Sequence, residues 1–257
     1  MSVTQALKQG FAWWGFHRSG MDAEALAKGA AKIGYVAVDF APENLYPFLR
    51  DNGMVVSAAG GHKSLEDGLN RRENHSRIEA ELRTNLEKAV EWGIPNLICF
   101  TGNRRGLSDA DGAEITAECL RRVAPDAEAA GINLAIELLN SKRDHPDYQN
   151  DHTAFGIRVC ELVDSPRVNL LYDIYHMQVM EGDVIATIRA HHSRFCHYHT
   201  AGNPGRHDLD REQELYYPAI AKAIIETGFT GYICHEFTPK GDPLTALEAA
   251  YHECQVP

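Results

Sequence analysis

At 257 residues, 44% of them apolar, the chain can bury one sizeable core and is near the usual length of a single (β/α)8 barrel. Its 25 Lys and Arg against 36 Asp and Glu give a formal charge of −11, which opposes binding to a phosphate backbone and removes nucleic acid from the expected partners. No apolar run approaches ~18 residues, GFAWWGF lacks a small-residue cleavage site, and the six cysteines form no CxxC pair, so the expectation is a reduced, cytoplasmic protein without a membrane span.

In chain order, strand-like runs fall near 10–14, 35–40, 54–60, 95–100, 132–138, 168–174, 195–200 and 231–237. Trp13 and Trp14 are expected to end the first strand, one facing the barrel mouth and the other packing outward. Helical stretches between the strands end in Gly34, Gly53, Gly93, Gly131 and Gly228, a residue that tolerates the left-handed conformation closing a helix. Ile78, Leu82, Leu86 and Ala89 recur at three- and four-residue steps, the stripe of a helix packed on a sheet. The strands lack polar alternation along much of their length, as expected when both faces are buried. PLTALEAAYHEC supplies a helix after the last strand, and no linker or composition break divides residues 1–257. The predicted fold is therefore an α/β protein with a single (β/α)8 TIM-barrel domain. Its longer insertions, 101–111, 140–152 and 201–215, follow strand ends, where such barrels place functional loops.

Four of these strand ends carry potential metal ligands: Glu137 in INLAIELLN, Asp173 in VNLLYDIYHMQ, His199 in FCHYHTAG and Glu236 in GYICHEF. Ala135 and Glu137, Leu171 and Asp173, His197 and His199, and Cys234 and Glu236 each share a strand face, assigned to the barrel interior. Three carboxylates and one imidazole meeting at one end of parallel strands would leave buried negative charge unless a cation neutralised it. A ligand set of three oxygens and one nitrogen favours Mn²⁺, Mg²⁺ or Co²⁺ and leaves Zn²⁺ open.

Around this set stand candidate substrate contacts. His176 follows Asp173 by three residues and could donate to a substrate oxygen. Arg206, in the turn AGNPGRHD, could aim its guanidinium back at the same point. Lys142, Arg143, Arg104 and Arg105 could pair with an anionic substrate or be solvated. His62, after VVSAAGG, would point over the mouth from the third strand. His197 reads as a hydrogen-bonded core residue below His199, and His191, His192 and His207 as solvent-facing.

At these residues the chain resembles the xylose isomerase-like TIM-barrel superfamily and, within it, the hydroxypyruvate isomerase family. The stretches that carry the resemblance are LICFTGNRRG, IELLN, LLYDIYHMQVMEGD, HTAGNPGRHDLD and GYICHEF. The resemblance implies one divalent cation held by Glu137, Asp173, His199 and Glu236, with His176 and Arg206 contacting a small keto acid or sugar. Two positions depart from relatives within the superfamily. Where some bacterial hydroxypyruvate isomerases look like glutamine this chain has His199, resembling ketose 3-epimerases there, and Lys142 and Arg143 stand where those epimerases carry a second acidic residue.

The expected chemistry is conversion of hydroxypyruvate to tartronate semialdehyde through an enediolate, with Glu137 and Glu236 as the catalytic bases. The alternatives are a ketose 3-epimerase, a lyase or dehydratase using the same enediolate, and a non-catalytic metal-stabilised binding subunit. A homo-oligomer is expected from the habit of such barrels.

Overall fold

The computed structural model describes residues 6–256. The first part of the chain forms β1 (Lys8–Ala12), α1 (Trp13–Phe16), α2 (Ala23–Ile33), β2 (Ala37–Asp39), α3 (Tyr46–Asp51) and β3 (Val55–Gly60). The middle forms α4 (His75–Trp92), β4 (Asn96–Cys99), α5 (Asp109–Ala130), β5 (Asn133–Glu137), α6 (Thr153–Val163), β6 (Val168–Asp173), α7 (Ile174–Met180) and α8 (Val184–His191). The remainder forms β7 (Phe195–Thr200), α9 (Tyr217–Glu226), β8 (Tyr232–His235) and α10 (Pro243–Glu253). The strands run β1 to β8 around a closed parallel barrel, as the sequence predicts.

Two compact units share these elements. One holds the chain up to Ser57, Asp183–His192, and the chain from Tyr198 onward; the other holds Ala58–Gly182 and Ser193–His197. Within the first, Gly10 pairs with Ala37 on one side and Cys234 on the other. A Cβ at Gly10 would stand 2.5 Å from the Cys234 sulfur and 2.9 Å from the Ala37 Cβ, so the register depends on the missing side chain. In the second, β4 and β5 pair through Asn96 with Asn133 to Cys99 with Ile136, and β5 and β6 through Leu134 with Val168 to Glu137 with Leu171.

Local signals explain the helix boundaries. Asp22 accepts from the amides of Glu24 and Ala25 to start α2, Ser108 accepts from Asp111 N to start α5, and Asp242 accepts from Thr245 N to start α10. Gly93 and Gly131 close α4 and α5 in the left-handed conformation. The α4 stripe of Ile78, Leu82, Leu86 and Ala89 is buried as the periodicity requires, each larger side chain contributing about 1.5–3 kcal/mol of apolar burial.

The structure departs from the sequence expectation at two places. β1 stops at Ala12, and Trp13 and Trp14 lie in the short helix α1 rather than ending the strand. The chain can turn there because Gly15 has no side chain: a Cβ would lie 2.5 Å from the Phe237 carbonyl oxygen. Between β6 and β7 there are two helices, α7 and α8, not one, with Gly182 and Asp183 at positive φ between them. Among the described residues no helix is long and apolar enough to cross a membrane. All six cysteines are free thiols, and burial pushes those of Cys119 and Cys160 up to about 12, which suits inert core residues.

Candidate metal centre

The unit that contains β8 supplies His199, Glu236 and their supports. Glu236 follows the last residue of β8, yet its amide still donates to Thr200 O at 2.8 Å, so its side chain leaves from a backbone held by β7. Its carboxylate is almost completely buried and fully engaged. Trp14 Nε1 donates to Oε1 at 3.0 Å, Arg206 Nη2 donates to Oε2 at 2.5 Å, and His199 Nδ1 stands 3.2 Å from Oε2. Arg206 reaches this position from a left-handed backbone (φ 55°), anchored where its carbonyl accepts from Thr238 N at 3.1 Å, and its guanidinium lies 5.3 Å over the Trp14 ring. Trp14 keeps 47% exposure beyond that contact, whereas Trp13 is buried and stacks on His17.

His199, at the end of β7, stands between two carboxylates. Its Nε2 is 3.0 Å from Asp39 Oδ2 on β2, and the other Asp39 oxygen accepts from the Ser57 hydroxyl at 2.5 Å. With Nε2–H donating to Asp39, the neutral ring turns the Nδ1 lone pair toward Glu236. A lone pair facing a carboxylate at 3.2 Å is repulsive unless a cation or a second proton lies between them. His197 lies beneath, buried, and joins Asp39 and His199 in a second close group.

The other unit supplies Glu137 and Asp173 at the ends of β5 and β6, both buried. The Glu137 carbonyl accepts from the Tyr148 hydroxyl at 3.1 Å and the Asn150 amide at 2.8 Å, which fixes the backbone from which its carboxylate projects. Asp173 caps α7: its Oδ1 accepts from His176 N at 2.9 Å, while Oδ2 is 3.7 Å from His176 Nε2. His176 is fully buried, and its Nδ1 meets Asn140 Nδ2 at 2.6 Å.

One donor atom from each of Glu137, Asp173, His199 and Glu236 lies within 4.8 Å of the others. Donors about 2–2.3 Å from a shared ion stand up to about 4.5 Å apart, so the spacing suits a single divalent cation. The donor chemistry suits one too, because three buried carboxylates around one point are strongly repulsive without a positive charge. This buried cluster is consistent with a divalent metal site.

The cationic and histidine contacts divide differently. Arg104 does not point freely at an anionic ligand: it donates to both carboxylate oxygens of Asp151 (2.7 and 3.1 Å), to Asp109, and to the carbonyls of Tyr148 and Gln149. Burial alone would raise the Asp151 carboxyl, but bonds from Arg104, Ser141 and His152 hold it below the usual range. Arg105 pairs with Asp67 at the surface. His62 has both ring nitrogens taken by backbone, Nδ1 at Lys63 O (3.0 Å) and Nε2 at Phe100 N (3.0 Å), and burial lowers its pKa, so the ring ties the β3 and β4 loops together. Lys142 and Arg143 are exposed; the Lys142 ammonium reaches Val179 O and the Arg143 amide donates to Asn140 Oδ1.

Asp39 and Asn140 are the residues beside the cluster that the sequence reading missed, and of the two tryptophans Trp14 is the one that reaches Glu236. Asp39 carried the same signal as the three candidate carboxylate ligands, an apolar run ending in an acid.

A family model described as xylose isomerase-like TIM barrel matches residues 4–253. Over 239 residues the chain is 31% identical to a 2-oxo-tetronate isomerase of Cupriavidus necator, covering 85% of this chain and 88% of that protein. It is 26% identical over 250 residues to a putative hydroxypyruvate isomerase of Homo sapiens, covering 89% and 88%. Among solved structures, an AP endonuclease, family 2, from Brucella melitensis superposes with a TM-score of 0.85 at 22% identity over 94% of this chain and 96% of that one, a likeness of fold.

Proposed function

We propose, since the chain belongs to the xylose isomerase-like TIM-barrel family, that residues 1–257 form one domain that acts in the cytoplasm as a metal-dependent isomerase of a small hydroxylated keto acid. Hydroxypyruvate and the four-carbon 2-oxo-tetronate are the substrates to which the named relatives point. The observation that carries the reading is the buried convergence of Glu137, Asp173, His199 and Glu236.

In this reading those four residues hold one divalent cation, Mn²⁺, Mg²⁺ or Co²⁺ by donor type, with Zn²⁺ as an alternative. When bound, the cation supplies charge stabilisation for substrate oxygens that become anionic during enolisation. Glu137 and Glu236 are each a candidate to remove a proton from the carbon beside the carbonyl or to return one to its neighbour. Trp14 and Arg206 fix the rotation of the Glu236 carboxylate, so its approach to a carbon is set before substrate arrives. His176 donates to a substrate oxygen, and Arg206, beside Glu236, is the half-buried guanidinium placed to hold a carboxylate. Arg143 stays exposed at the rim as a secondary anion contact, whereas the engaged nitrogens of His62 assign it no substrate contact.

Steady-state rates with hydroxypyruvate, 2-oxo-tetronate and a panel of neutral ketoses, each with Mn²⁺, Mg²⁺ and Co²⁺, test the proposal. The highest kcat/KM is expected for a keto acid. A higher value for a neutral ketose would move the assignment to a ketose 3-epimerase, a reading favoured by the pairing of Arg206 with Glu236, which already occupies part of that guanidinium.

A further inference from the structure

Asn140 has no role in the reaction just described, yet it is fully buried and every polar atom of its side chain is committed. Its Oδ1 lies 3.0 Å from Arg143 N and 2.9 Å from Asp144 N. A backbone N–H can only donate, so the atom facing these two amides must be the oxygen. The amide orientation is therefore fixed by the main chain. The other atom is the NH₂ group, and its two hydrogens go to Asp144 Oδ2 at 2.7 Å and to His176 Nδ1 at 2.6 Å.

The consequence passes to the imidazole. A ring nitrogen that receives an N–H must present a lone pair, so Nδ1 of His176 is the bare nitrogen and the ring proton sits on Nε2. A proton on Nδ1 would set N–H against N–H in a fully buried space. The Asp144 carboxylate does not offer an alternative, since it stands 3.9 Å from Nδ1 with the Asn140 amide bonded to both. The ring is held from its own backbone as well, through the bond from His176 N to Asp173 Oδ1.

We propose that Asn140 is a positioning residue that locks His176 as a neutral imidazole with its N–H at Nε2. The lock makes His176 a hydrogen-bond donor to substrate and denies it the role of base, leaving proton abstraction to the glutamates. Main-chain amides of Arg143 and Asp144 set the Asn140 amide, the amide sets the tautomer, and the tautomer sets what His176 can do. The catalytic half of this inference rests on the proposed isomerase reading; the tautomer does not.

The test is a two-bond proton–nitrogen NMR correlation on the full chain labelled with ¹⁵N-histidine, recorded with Mg²⁺ and again after chelation. The His176 signals are assigned by their loss in His176→Asn. Expected in the unaltered protein is an unprotonated Nδ1 and a protonated Nε2. In Asn140→Asp the carboxylate accepts instead of donating, so the pattern inverts, while Asp144→Asn keeps the Asn140 amide and the original pattern. The inverted ring loses its donor, and kcat for the preferred substrate falls by about tenfold or more, as expected for a lost polarising contact. A protonated Nδ1 in the unaltered protein, or an unchanged pattern in Asn140→Asp, overturns the lock. An inverted pattern with unchanged kcat overturns its catalytic consequence. The expected tautomer in a protein that turns over no keto acid or ketose would overturn the isomerase reading and leave the lock standing.

Discussion

Replacing Arg104 by Met separates a structural arginine from a substrate-binding one. The Arg104 guanidinium makes five hydrogen bonds, two of them to Asp151, whose side chain is only 4% exposed while that of Arg104 is 24% exposed. Removing one partner of a buried pair costs about 3–5 kcal/mol, mostly because the remaining charge is stranded. Here the guanidinium is partly solvated and Ser141 and His152 still donate to Asp151, so about 2–3 kcal/mol is the expected loss. For a chain of this size that lowers Tm by about 5–10 °C.

Chemical and thermal unfolding in chelator measures the loss directly. Arg104→Met with Asp151→Asn should recover about 1 kcal/mol relative to the sum of the single changes, because no charge is then left alone. The sign with pH follows from the lowered Asp151 carboxyl. Between its folded value and 3.8 the unfolded chain binds more protons, so the pair's contribution is complete above 3.8 and is lost as pH falls below it. The acid limb of the stability curve should be shallower in Asp151→Asn. An Arg104→Met protein with unchanged Tm and a tenfold higher KM confined to carboxylate substrates would refute the reasoning and return Arg104 to the substrate.

Other outcomes test the centre itself. Chelation should lower Tm in the unaltered protein, and Asp39→Asn should weaken metal affinity by about 10–100-fold by calorimetric titration, because a carboxylate behind a ligating imidazole orients it; equal affinity would make Asp39 a packing residue only. Glu137→Gln and Glu236→Gln should each reduce kcat by at least ~10² while retaining bound metal, and full activity in both would leave these residues as ligands alone. Gly15→Ala drives a Cβ against the Phe237 carbonyl and should cost about 1–3 kcal/mol in unfolding experiments, with an unchanged midpoint showing that α1 has room to shift.

The barrel and its four convergent donors were legible because both are written in local pattern. A buried parallel strand reads as an apolar run, and a ligand at its end reads as the acid or histidine where the run stops. Asp39 ends such a run in YVAVDF and was still passed over, since nothing in that segment shows that its partner is His199, 160 positions later. Charge alone left two roles open: Arg104 and Arg105 look alike in TGNRRG, but whether an arginine faces a ligand depends on acids such as Asp151 that only the folded loop brings near. The end of β1 was misplaced because aromatic residues favour strands, and the close approach of Phe237 O to Gly15 that permits a helical turn is a long-range fact.

The loop at 140–152 has a consequence for engineering. Tyr148 and Asn150 clamp the Glu137 carbonyl and are themselves tied to Thr101 on the neighbouring connection, through Thr101 N to the Tyr148 hydroxyl and Asn150 N to Thr101 Oγ1. The segment that would be exchanged to retune selectivity is thus also the mounting of the carboxylate proposed as a base. A graft that changes its tip while keeping Thr101, Tyr148 and Asn150 can alter what is bound and leave the carboxylate aligned. One that replaces the whole segment changes both at once, and its kinetics would confound recognition with misalignment.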